Sequence, residues 1–148
     1  MEGDRTAETY LRTPSEENNP IFSPDGKWVA YESLESGRPE IVVNSFPTPG
    51  RRYPVSRETG RFPIWQDDGK QIFFADNANA LVACSVSWTE TEFRAETPRS
   101  LGAQFPSFLT ASIAPDGRFR LLSLPEEGGQ SSAPLTVVLD WQEELSSK

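Results

Sequence analysis

The sequence predicts an all-β protein built from repeated four-stranded units. A turn motif occurs three times, and each copy is followed by two short apolar runs rich in β-branched and aromatic residues. Such runs favour strands, because they are too short for helices and lack the 3.6-residue periodicity of an amphipathic helix. The chain has 148 residues, the size of one domain. We therefore expect one domain of stacked antiparallel sheets.

The turn motif is clearest in its first two copies. Residues 20–27 read PIFSPDGK and residues 63–70 read PIWQDDGK, at an offset of 43 positions. A weaker third copy, SIAPDGR, occupies residues 112–118. In the first copy, proline presets φ at the second turn position and glycine supplies a positive φ before the next strand. Each copy therefore predicts a hairpin turn.

Predicted strands follow the motif in chain order. Those of the first unit are 19–22, 28–33, 40–45 and 52–56. Those of the second unit are 62–65, 71–75, 80–88 and 92–96. The third unit has three predicted strands, 108–113, 119–124 and 135–141, and lacks a fourth.

Part of the chain resembles a known repeat family. Residues 22–31 (FSPDGKWVAY) and 36–43 (SGRPEIVV) resemble the TolB-type β-propeller repeat, a WD-like blade of four antiparallel strands. The second copy departs from this repeat at Gln66-Asp67 and the third at Ala114. The resemblance implies blades at about 14–57, 58–100 and 101–145. It also favours a bacterial protein in an extracytoplasmic or periplasmic setting.

Three blades are too few for a closed ring, because propellers have about four to eight. We expect two copies to form a six-bladed homodimer with two-fold symmetry. Segment 5–13 has the pattern of an outer strand that completes a blade in cis or in trans. In the homodimer, the strand from Thr6 to Thr13 of each copy would complete the third blade of the other. The alternative is that the chain is a segment of a longer propeller.

Composition argues against several functional classes. The net charge of -8 opposes binding to nucleic acid and to anionic membranes. The sequence also contains neither a signal peptide nor an apolar run of about 18 residues, so we expect no direct membrane insertion. The absence of histidine removes the usual general base and the commonest zinc ligand. We therefore expect no catalysis, no metal and no cofactor.

Several residues that carry reactive or aromatic groups have a structural interpretation. Cys84 lies in a predicted strand, where a lone cysteine is expected to be a small buried hydrophobic residue. Tryptophans lie on or beside predicted strands at similar intervals, so we expect them to pack between blades rather than form a ligand cage. They are Trp28, Trp65, Trp88 and Trp141.

The predicted binding site is the mouth of the central channel. Propellers usually bind ligands there, where the loops that enter the innermost strands converge. In this chain those loops are 17–19, 60–62 and 104–107. The candidate binding residues are Glu17, Asn18, Asn19, Arg61, Phe62 and Ser107. In a two-fold ring each would occur twice, which would give a polar rim suited to a peptide, a loop or an ion.

These observations predict a non-catalytic module that binds or scaffolds a protein or peptide. The resemblance leaves two alternatives open. One is a sensory propeller segment of a larger membrane-bound Ser/Thr kinase or receptor, which predicts a transmembrane helix and more blades in the parent chain. The other is the accessory propeller of a prolyl-oligopeptidase-like enzyme, which predicts a catalytic domain elsewhere in the chain and activity on peptidyl esters.

Overall fold

A computed structural model describes residues 9–90, 92–104, 108–113 and 119–123, with side chains over 9–90 and 92–103. Within these ranges every regular element is a β-strand and no helix occurs. All the strand pairs are antiparallel. The prediction of an all-β fold is therefore confirmed for the described part of the chain.

The first sheet contains four strands in chain order. They are β1 (Glu17–Phe22), β2 (Trp28–Ser33), β3 (Glu40–Ser45) and β4 (Tyr53–Pro54). The bounds of β2 and β3 match the prediction, whereas β1 begins earlier and β4 is shorter than the predicted 52–56. The ladder stops after Pro54 because the amides of Val55 and Ser56 both donate to Ile41 O, at 2.8 and 3.3 Å.

The second sheet contains five strands. They are β5 (Arg61–Trp65), β6 (Gln71–Ala75), β7 (Ala80–Trp88), β8 (Phe93–Ala95) and β9 (Arg99–Gln104). β8 pairs with the end of the long strand β7, and β9 pairs with its start. Together they form one outer edge that is interrupted around Pro98. The sequence predicts only the part of this edge at 92–96, because a proline cannot donate to a ladder and marks a break.

The third unit is a hairpin. Strands β10 (Phe108–Ile113) and β11 (Phe119–Ser123) pair with each other, close to the predicted bounds. The strand predicted over 135–141 lies outside the described residues. β5 contacts both β1 and β10, so the first strand of the second unit is a neighbour of the first strands of the other two.

The hairpin turns of the first two sheets have the same geometry. Gly26 and Gly69 have φ of 69° and 73°, a conformation that glycine adopts without steric cost. The amide of Gly26 donates to Ser23 O at 2.9 Å, and that of Gly69 donates to Gln66 O at 2.8 Å. The turn predicted from the repeated motif is therefore confirmed in both sheets.

The two sheets pack face to face over a common apolar core. The first sheet contributes Trp28, Ala30, Ile41, Val43 and Val55, and the second contributes Trp65, Ile72, Phe74, Val82, Cys84, Val86 and Phe93. Cys84 is fully buried, and desolvation raises the pKa of its thiol to about 11. Its predicted packing role is thus confirmed.

The tryptophans that the structure describes pack in or against the core between the two sheets, whereas the prediction that these sheets are propeller blades stays a prediction. The Trp65 and Trp88 rings are 5.7 Å apart and meet edge to face, and Trp28 lies 5.2 Å from Phe93. Trp88 Nε1 also donates to Asp25 Oδ2 at 3.1 Å, which links the second sheet to the first turn. Trp141 lies outside the described residues.

The other face of the first sheet carries Phe22, Val29, Tyr31 and Val42, and we call it the N-terminal face. Residues 9–16, which we call the strap, cross this face and pack Tyr10 and Leu11 against it. The described part of the predicted strand from Thr6 to Thr13, residues 9–13, is not in a strand within the single chain. Its pairing with a second copy stays a prediction.

Candidate functional site

Two predicted mouth residues occupy equivalent irregular positions. Asn19 in β1 and Phe62 in β5 have positive φ values of 50° and 56°, and each lies at a β-bulge. A proline follows both residues. Asparagine tolerates this left-handed conformation, whereas a large residue such as phenylalanine adopts it at a cost of about 1–2 kcal/mol. The surroundings of Phe62 must therefore hold its backbone in place.

A buried carboxylate holds both bulges. Glu32 in β2 is only 6% exposed, and its Oε1 accepts hydrogen bonds from Asn19 Nδ2 and from the Phe62 amide, each at 2.6 Å. Hydrogen bonds to an ionised acceptor are about twice as strong as neutral ones. Glu32 therefore joins the two loops that the sequence predicts at the mouth.

Glu17 belongs to a different network. Its Oε1 lies 2.9 Å from Thr13 Oγ1 and 3.3 Å from Ser33 Oγ, while its Oε2 is buried without a hydrogen-bond partner among the described residues. Ser33 Oγ in turn accepts from Arg52 at 2.8 Å, and Arg52 also forms an ion pair with Glu35. Glu17 thus connects the strap to the first sheet and does not contribute to the Glu32 bridge.

The remaining predicted mouth residues have simpler surroundings. Asn18 and Arg61 are exposed and lie next to the two bulges. Ser107 lies outside the described residues. The structure therefore brings Asn19 and Phe62 together and leaves Asn18 and Arg61 accessible beside them. That these residues bind a ligand stays a prediction.

Sequence reasoning missed Glu32. It is the single carboxylate in the apolar run WVAYES, where an acidic residue near a strand end is typical of a solvated position. The equivalent residue of the second sheet is Ala75, so the repeat does not point to a carboxylate. The two copies of the repeat differ here, with Glu32 in the first and Ala75 in the second, and this difference is the one sequence signal that points to Glu32.

A cleft of about 530 Å³ lies away from these bulges, between the outer edges of the two sheets. Residues 54–57 line it together with Glu40, Ala95 and Glu96. Arg57 reaches from the first sheet to the second and donates to Thr97 Oγ1 at 2.7 Å. The guanidinium therefore links the sheets at the cleft.

The described residues provide neither a metal site nor a helix that could span a membrane. Over the part of the chain that the structure describes, no three His, Cys, Asp or Glu side chains are grouped so as to hold a metal ion. Over the same residues, no helix is long and apolar enough to span a membrane.

Removing the Glu32 carboxylate should loosen the two bulges. We expect Glu32→Ala to lower the free energy of unfolding by about 1–2 kcal/mol, because the partly buried Phe62 amide loses its hydrogen bond to Glu32. Glu32→Gln keeps an Oε1 acceptor at the same place and should lose less than half as much. Urea denaturation of the two variants measures the difference. Equal losses would show that the carboxylate oxygen does not hold the bulges.

The strap should respond to alkaline pH. Burial, with a further contribution from nearby Tyr31, raises the pKa of Tyr10 from 10.0 to about 12. The contribution of protonated Tyr10 to docking is therefore complete below pH 10, and it declines as the pH rises from 10 towards 12. The difference in tyrosinate absorbance between wild type and Tyr10→Phe should place the Tyr10 midpoint near 12. A midpoint near 10 would mean that Tyr10 is not packed against the N-terminal face.

Comparison with known families adds no assignment to this geometry. No protein-family model matches the chain. The candidate site is thus defined by the two bulges, the Glu32 bridge between them and the exposed residues beside them.

Proposed function

We propose that the chain is a TolB-type β-propeller module without catalytic activity, which binds a protein or peptide at its channel mouth. Two copies join into a six-bladed ring, with three blades from each. The blade boundaries are those expected from the sequence, at about 14–57, 58–100 and 101–145.

The observation that carries this proposal is the repetition of one sheet geometry around β5. The first and second sheets have the same turn and the same bulge at an offset of 43 positions. β5 contacts both β1 and β10, and contacts of this kind are expected between the innermost strands of successive blades. The face-to-face packing of the first two sheets also supports radial stacking.

The bulges support binding at the mouth. A β-bulge leaves backbone groups outside the ladder, and bulges are common next to binding sites. Here two bulges are held together by Glu32, with Asn18 and Arg61 exposed beside them. A peptide segment, which has both donors and acceptors in its backbone, is a ligand that such a rim can hydrogen-bond.

The mass in solution tests the ring. Sedimentation equilibrium at micromolar concentration should give twice the chain mass of 16.5 kDa. Deletion of residues 1–13 should dissociate the dimer, whereas deletion of residues 1–4 should not, because it leaves the predicted outer strand at 5–13 intact. A wild-type mass of one chain contradicts the homodimer.

Selection of peptides from a display library tests the binding site. We expect the selected peptides to bind Arg61→Glu at least tenfold more weakly than wild type, because the substitution reverses a charge at the mouth. Arg99→Glu reverses an exposed charge on β9 and should bind like wild type. Equal affinities for both variants would place the bound peptides elsewhere.

A further inference from the structure

The N-terminal face carries an exposed group of aromatic side chains. Phe22 is 52% exposed and Phe46 is 37% exposed, and they are the large exposed hydrophobic residues among those with described side chains. Their rings lie 4.9 Å apart, edge to face, and the Tyr10 ring lies 5.5 Å from Phe46. We call these three residues the aromatic patch.

The second sheet contains a covered counterpart of this patch. Trp65 occupies the position equivalent to Phe22, at the offset of 43, and it is only 5% exposed. The first sheet covers it, and Trp65 Nε1 donates to Ile21 O at 3.2 Å across the contact. Ile72 and Phe74, which share this face, are also buried in the contact. The position that Phe22 occupies in the first sheet is therefore buried in the second sheet, because a neighbouring sheet packs against it there.

The strap covers only part of the N-terminal face. Tyr10 and Leu11 pack on Val29, Tyr31 and Val42, and Tyr10 Oη donates to Ser45 O at 2.5 Å. The strap thus lies on the face of the first sheet that an adjacent sheet would cover. It leaves about half of Phe22 in solvent.

We infer that the aromatic patch is the surface on which β10 and β11 of a second copy pack, with the strap as the edge strand of that sheet. This inference rests on the proposed ring and identifies the contact that closes it. The occupant follows from the internal precedent, because a sheet of the same repeat covers the equivalent face of the second sheet. Within the chain, β10 contacts β5 of the second sheet. The hairpin of β10 and β11 therefore belongs beside the second sheet of its own chain, and we expect the sheet that covers the patch on the first sheet to come from a second copy.

A charge placed in the patch tests the contact. In sedimentation velocity, Phe22→Asp should raise the dimer dissociation constant at least about a hundredfold, or about tenfold at each of two equivalent contacts. Phe22→Trp installs the residue found at the equivalent position and should change the constant by less than threefold. Asn77→Asp adds the same charge in the exposed β6–β7 turn and should also change it by less than threefold.

The outcomes separate this inference from the proposed ring. A wild-type mass of one chain overturns both. A wild-type dimer that Phe22→Asp weakens by less than threefold overturns the patch contact and leaves the ring standing. Amide exchange of the wild type gives a second readout that does not depend on how a variant folds. The protection of the Phe22 and Phe46 amides should rise at least tenfold when the protein concentration is raised from below to above the dimer dissociation constant. Unchanged protection overturns the contact.

Discussion

Trp65→Ala is expected to lower the free energy of unfolding by about 3–5 kcal/mol, the usual cost of removing a large buried aromatic side chain. Phe22→Ala, at the equivalent position of the repeat, is expected to cost less than about 1 kcal/mol in the single chain. The difference arises because Trp65 is 5% exposed between two sheets, whereas Phe22 is 52% exposed. Urea denaturation at a concentration where each protein has the mass of one chain measures both values.

The Trp65 substitution removes more than buried area. It also deletes the hydrogen bond to Ile21 O and the edge-to-face contacts with Trp88 and Phe93. All three partners lie outside β5. The decrease in the free energy of unfolding therefore measures how strongly these contacts stabilise the position of β5. Similar decreases in the free energy of unfolding for Trp65→Ala and Phe22→Ala would contradict this difference. They would mean that the face of the second sheet with Trp65 and the equivalent face of the first sheet with Phe22 are covered to the same extent.

Most strands could be predicted because their limits are set by local signals. β2 and β6 each follow a turn that ends in glycine and a basic residue, and both have the predicted bounds. The ends of the outer strands are less predictable, because they depend on the strand beside them. β4 stops where two amides converge on Ile41 O, and β9 pairs along β7 after a break at Pro98.

The candidate site was only partly predictable, for a related reason. The loops at 17–19 and 60–62 follow from the repeat, but the contact that joins them is made by Glu32, which is distant in sequence from Phe62. The role of Glu17 depends on the strap, because its contact with Thr13 forms only when residues 9–16 lie on the first sheet. Neither contact leaves a periodic pattern in the sequence.

Gly60→Val is expected to lower the free energy of unfolding by about 2–3 kcal/mol through overpacking. Gly60 is buried at the entry to β5, and a Cβ there would lie 2.7 Å from Ile41 Cγ1 and 2.9 Å from Ser56 Cβ. Both atoms belong to buried residues, Ile41 in β3 and Ser56 just after β4, so they have little freedom to move away. Because Arg61 and Phe62 follow directly, the strain should also displace the predicted mouth.

Gly50→Val is the matched control for this substitution. A Cβ at Gly50 would meet only Ser45 Oγ at 2.9 Å. Rotating this hydroxyl away breaks only its exposed hydrogen bond to Thr48 O, which water can replace. Replacing glycine also stiffens the unfolded chain, which stabilises the protein by about 0.4–1 kcal/mol at either position. Urea denaturation should therefore show Gly50→Val near wild type and Gly60→Val well below it. Equal stability of Gly60→Val and Gly50→Val would mean that Gly60 does not pack against Ile41 and Ser56. The two sheets would then not be in contact where the chain enters β5.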